Sequence, residues 1–105
     1  MFSLLWGPAH SETYFTSWYG GGEKLNRHTS SGQVFRPEGL TAAHRTLPLG
    51  TKLEITHGGR HAVVVVNDRG PAAWTGRNLD LSRGAAKALG ISGLAHVKGR
   101  VVSLP

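Results

Sequence analysis

Six carboxylates (Glu12, Glu23, Glu38, Glu54, Asp68 and Asp80) and six histidines are the side chains of this sequence able to move a proton near neutral pH. Asp68 stands out by its setting. Four consecutive valines, Val63 to Val66, run straight into Asn67-Asp68-Arg69-Gly70-Pro71. β-Branched residues stiffen χ1 and favour an extended chain. A stiff strand that ends on an acid is one way for a scaffold to present chemistry. The plainer role is that Asp68 bonds only turn amides, as aspartate often does. Arg69 beside it would lower the acid's pKa, whereas burial at the strand end would raise it, and a general acid needs the second effect to win.

The other candidates each carry two readings. Asp80 with Asp68 could supply the two carboxylates of glycoside cleavage, but it sits between Leu79 and Leu81 just before a predicted helix, where it would cap or anchor a turn. His44 is either a hydrogen-bonding or proton-transfer partner or a structural histidine. His57 and His61 have metal-like spacing, yet they straddle a predicted hairpin and read as a surface pair. Trp18, Tyr19, Phe35 and Trp74 would make either a sugar-stacking platform or core. A Ser-His-Asp triad lacks its Gly-x-Ser-x-Gly elbow. There is no P-loop, and no glycine-rich dinucleotide turn between a strand and a helix. With no cysteine, the chain has no disulfide, no cysteine nucleophile, no Cys-based metal site and no lipidated cysteine.

These residues must be positioned by a single small domain, the size that 105 residues allow. A composition of 39% hydrophobic and 17% charged residues is that of a folded protein, and 15 glycines suit short strands with tight turns. Residues 1–13 read as an N-terminal arm and 14–105 as the domain. The apolar start, Met1 to Trp6, is too short for a full signal peptide. Tyr14 to Tyr19 reads as a strand. The stretch from Glu23 to Gly39 reads as a long loop with a Val34-Phe35 anchor, and Thr41 to His44 as a compact small-sided segment before a turn. Thr51 to Thr56 alternates, with Leu53 and Ile55 inward; Gly58-Gly59 turns it into the strand His61 to Val66. With no polar residue alternating among the valines, both faces of that strand are expected to be buried. Ser82 to Leu89 is the one clear helix, capped by Ser82 and closed by Gly90; Val97 to Leu104 is a final strand. About six short strands and one helix point to a small closed barrel, which leaves no unpaired edge.

A net charge of +6 favours a polyanion such as nucleic acid, anionic lipid or an acidic cell-wall polymer. The twelve basic residues are scattered rather than clustered, which argues against nucleic acid. No stretch is long and apolar enough for a transmembrane helix, and a monomer is expected.

Five segments in order then resemble the rare lipoprotein A family of septal-ring lytic transglycosylases. They are Thr16-Ser17-Trp18-Tyr19-Gly20, Thr29-Ser30-Ser31-Gly32, Leu40-Thr41-Ala42-Ala43-His44-Arg45-Thr46-Leu47-Pro48-Leu49-Gly50, Val66-Asn67-Asp68-Arg69-Gly70-Pro71 and Leu79-Asp80-Leu81-Ser82-Arg83. The resemblance spans residues 15–103. It implies a mainly β fold, a six-stranded double-psi β-barrel of the expansin kind with one or two short helices. It implies bacterial peptidoglycan as substrate, particularly glycan stripped of stem peptides, cut without water, metal or cofactor to give 1,6-anhydro-N-acetylmuramic acid ends. Asp68 matches the family's acid/base and His44 the histidine that orients or polarises the site. Gln33, Trp18, Tyr19, Arg69 and Asp80 are the substrate-binding candidates. A periplasmic or secreted location follows from the same resemblance. One departure is Gln33, which stands eleven residues before His44 where the family commonly has glutamate. An amide binds a sugar but exchanges no proton at neutral pH. The alternative is therefore a non-catalytic, expansin-like module that binds wall glycan, unless Glu38 folds inward to substitute. Septal targeting and outer-membrane anchoring are not expected, since no repeat domain or lipidated cysteine is in this sequence.

Overall fold

The hairpin predicted around Gly58-Gly59 is the spine of the fold. Both glycines take positive φ, +55° and +81°, the conformation a two-residue turn between twisted strands requires. In a computed structural model, which describes residues 11–19 and 39–105, this turn joins β3 (Lys52–His57) to β4 (Arg60–Asp68). Around it stand β1 (Glu12–Tyr19), β2 (Thr41–Ala43), β5 (Leu79–Ser82), the helix α1 (Arg83–Ala88) and β6 (Ala95–Ser103), with one 3₁₀ turn at Ala73–Thr75. The six strands close a barrel in the order β1-β5-β2-β4-β3-β6. β1 with β5 and β2 with β4 are parallel pairs, and the rest are antiparallel. The expected arm up to residue 10, Glu23, Glu38, and the loop with Gln33 and the Val34-Phe35 anchor lie outside the described residues.

Strand alternation decides what fills the barrel. Leu53, Ile55, Val64, Val66, Leu79, Leu81 and Leu89 are completely buried. The valine run departs from expectation. Val64 and Val66 point inward, but Val63 is 41% exposed and Val65 is only half-buried. A single-layered barrel has one dry face, so a run without polar residues still keeps one side in water; β-propensity, not double burial, accounts for the outer valines. Gly99 marks the tightest point. A Cβ there would come within 2.9 Å of both Ile55 Cδ1 and the Tyr14 ring, so only glycine lets β6 pass them.

β1 and β6 each begin two residues earlier than predicted. β2 and β5 form where no strand is predicted, because three and four residues are too few to display a period. The helix matches its expected caps. Ser82 Oγ accepts from the Ala85 amide at 3.2 Å, and Gly90 closes the helix at φ +71°. Its Ala85 and Ala86 pack on the barrel core.

The pairing also sorts the strand ends. The C-terminal ends of β2, β4 and β6 share one end of the barrel with the starts of β1, β3 and β5. Asp68, His44 and Glu12 therefore gather at this end, while Trp18, Ser82 and α1 belong to the other.

Candidate active site

A register shift positions the acid. Along the parallel β2–β4 pair, Thr41 faces Val65 and Ala42 faces Val66, but Ala43 faces Asp68. Asn67 is the extra residue, and it is buried. Such a bulge re-aims the residue that follows it, here bringing a half-buried Asp68 to the barrel rim beside His44. The His44 amide donates to the Asp68 carbonyl at 3.1 Å. Asp68 Oδ1 accepts from the Arg69 amide at 2.8 Å, so the turn-anchoring role predicted for aspartate is present alongside the acid's exposure at the rim.

The hydrogen bonds of the His44 imidazole select one tautomer of its neutral form. Its Nδ1 accepts from the amides of Thr46 and Leu47, at 3.1 and 3.0 Å. A nitrogen that accepts carries no proton, so the ring is neutral with its hydrogen on Nε2. Burial, then the guanidinium groups of Arg45 and Arg69, hold its pKa below the usual histidine value, against a smaller opposing pull from Glu12. The Tyr14 ring meets the imidazole edge-on, with centroids 6.0 Å apart and planes at 80°. Burial and the nearby Glu12, to which its hydroxyl is hydrogen-bonded, push the Tyr14 phenol up to about 12.

Two arginines strap the loops to each other. Arg69, beside the acid, donates from Nη1 to the carbonyls of His44, at 3.2 Å, and Leu47. Arg45, beside the histidine, donates to the carbonyls of Pro71 and Arg77 at 2.7 and 2.9 Å. Each loop is thus tied by the other's guanidinium, whose Nη1 carries two hydrogens and serves two acceptors. These acceptors are neutral, so those bonds leave the positive charge in place.

Asp80 is not the helix cap; Ser82 has that role. Asp80 forms an ion pair with Arg77 and accepts from Ser17 Oγ at 3.0 Å. It therefore fastens the 71–77 loop to β1. Trp18 lies at the other end of β1. It packs against the core and donates from Nε1 to the Ser92 carbonyl at 3.3 Å. Tyr19 follows it in the strand, opposite Ser82. Of the predicted site residues, Asp68, His44 and Arg69 come together, Asp80 stands behind the loop, and Trp18 and Tyr19 occupy the far end. His57 Nδ1 bonds the Leu89 carbonyl at 2.8 Å, and His61 lies exposed across from Thr56. Among the described residues no cluster of three His, Asp or Glu side chains could share a metal ion.

Tyr14 and Arg45 carry no signal of a role in the sequence, and Glu12 stands there only as one carboxylate among six. Arg45 adjoins His44, but only folding shows what it ties. Tyr14 and Glu12 share a strand face by the period of two, and that signal becomes visible once β1 is known to start at Glu12.

A family model described as lytic transglycolase matches residues 11–101. The chain is 48% identical over 91 residues to a Nostoc protein named probable endolytic peptidoglycan transglycosylase RlpA, covering 82% of this chain and 24% of that protein. It is 51% identical over 85 residues to a Synechocystis protein of the same name, covering 77% and 26%. A Yersinia pestis endolytic peptidoglycan transglycosylase RlpA is 48% identical over 80 residues, covering 74% and 22%. The chain thus spans about a quarter of the length of these curated relatives. Among solved structures, Streptomyces papain inhibitor superposes with a TM-score of 0.68 at 18% identity, covering 90% of this chain and 96% of that one. At that identity the likeness concerns the double-psi barrel alone. No helix among the described residues is long and apolar enough to cross a membrane. With the family model and these relatives in agreement, the chain belongs to the lytic transglycolase family, as its five segments suggest.

Proposed function

We propose that this chain is an endolytic peptidoglycan transglycosylase domain that cuts glycan strands and leaves 1,6-anhydro-N-acetylmuramic acid ends. The observation that supports this most is the pairing of Asp68 with a His44 whose Nδ1 is an acceptor at one barrel rim. The carboxyl of Asp68 protonates the glycosidic oxygen, and the C1–O bond breaks. The muramic acid 6-hydroxyl closes on C1, and its proton returns to the carboxylate. The cycle consumes no water and leaves the acid as it began. His44 Nε2–H is a hydrogen-bond donor, suited to orient or polarise the sugar rather than to supply the proton. Arg69 keeps the two loops in register, and Gln33, Trp18 and Tyr19 remain candidates for binding more distant sugars. The substrate is peptide-stripped glycan, met in the periplasm or outside the cell by a monomeric domain.

A second reading is a module that holds wall glycan without cutting it. Gln33, in place of glutamate, favours it. Incubation with peptide-stripped strands and mass spectrometry of the products separates the two. Anhydro ends support the transglycosylase; strands that bind and emerge intact at every pH from about 5 to 8, the range flanking histidine titration, leave only the binding module.

A further inference from the structure

The 71–77 loop carries an aromatic side chain for which the fold has no use. Trp74 is 88% exposed, more than any other large hydrophobic residue among those described. Its backbone is nevertheless closely held. Thr75 and Gly76 amides return to the carbonyls of Ala72 and Ala73 at 3.1 and 3.2 Å. Thr75 Oγ1 donates to Ala72 at 2.7 Å and accepts from the Arg77 amide at 3.1 Å. Arg45 pins both flanks of the loop through Pro71 and Arg77. A tryptophan left in water on a fixed turn forgoes the burial that normally decides its place. Rigid tryptophans are enriched among the residues that anchor a binding partner.

We infer that Trp74 is a glycan-stacking subsite, its indole covering the C–H face of a pyranose ring beyond the bond being cut. The inference rests on the transglycosylase-domain reading for its ligand and on the structure for its place. The loop begins three residues after Asp68, and its strap, Arg45, is the neighbour of His44. A long polymer crossing this rim passes the loop. The guanidinium groups of Arg45 and Arg69 add positive charge that suits the carboxylates of peptide-free muramic acid units.

The test uses Asp68→Asn protein, so that strands are not consumed, with amidase-treated peptidoglycan strands as the probe. Acrylamide quenching reports indole exposure. The strands should shield the accessible emission, and the shielded component should be missing from the Trp74→Phe variant. In co-sedimentation, Trp74→Ala should bind about tenfold more weakly, the usual scale for loss of an aromatic anchor, while Trp74→Phe should bind nearly normally. Unchanged melting temperatures would show that each variant is folded. Equal binding by Trp74→Ala, or quenching that strands do not alter, would overturn the subsite. So would shielding that grows with protein concentration alone, which assigns Trp74 to a contact between copies. The two proposals fail separately: a wild type that binds through Trp74 but releases no anhydro product loses only the transglycosylase reading, and one that cuts strands regardless of Trp74 loses only the subsite.

Discussion

The two ends of the barrel are held together by different forces. At the end formed by Trp18, Leu81 and α1, cohesion comes from burial: Leu81 and Leu89 have no exposed surface, and Ala85 and Ala86 seal the helix against the core. At the Asp68 end, cohesion comes from side chains that bond backbone carbonyls, with Arg69 tied to His44 and Leu47, and Arg45 to Pro71 and Arg77. Apolar contacts would close the rim, which under the proposed function must admit a polymer. Polar straps fix the loops without burying them. Stability and chemistry are thereby divided, so damage to one end should spare the work of the other.

The largest separation is expected for His44→Ala. Losing the fixed Nε2–H donor should cut turnover by about 10²-fold or more, with only a small drop in melting temperature. A drop as large as that of a core variant would erase the contrast. Leu81→Ala is the opposite case. It should cost about 2–5 kcal/mol in denaturant unfolding, while the folded fraction cuts strands at the normal rate. Arg45→Gln lies between the two. Losing bonds at an exposed strap should cost about 1 kcal/mol, with a several-fold fall in turnover as the 71–77 loop loosens. The smallest effect is on pH dependence. Unfolded His44 takes up a proton near 6.5, but the folded ring resists, since burial and the two arginines hold its pKa lower. Its contribution is complete above about 6.5 and is lost as pH falls from there toward the folded value. Melting curves of wild type and His44→Gln between pH 7 and 5 should therefore converge on the acid side. Parallel curves would mean that the imidazole is not held neutral.

Long periodic segments were legible from the sequence. The Leu53/Ile55 alternation, the glycine hairpin and the Ser82 cap each depend on neighbours within a few residues, and each formed as expected. The outer valines depart from expectation because periodicity cannot tell a strand buried on two sides from one in a single-layered barrel. β2 and β5 were invisible because their identity lies in parallel partners far along the chain. The site was half legible. Asp68 and His44 could be picked out by motif, but the bulge at Asn67 that sets them side by side is a property of pairing. Asp80 illustrates the limit: a carboxylate before a helix looks like a cap, and only the fold shows Arg77 and Ser17 around it.

In the proposed function Asp68 carries the proton at a rim whose fold does not depend on its charge. Asp68→Asn, assayed for anhydro-product release and for melting temperature on the same preparation, tests it most directly. Turnover should vanish while the melting temperature shifts by no more than a few degrees, since the amide keeps the oxygen that accepts from the Arg69 amide. Retained cutting, or a collapse in stability equal to the loss of activity, would remove Asp68 from that role.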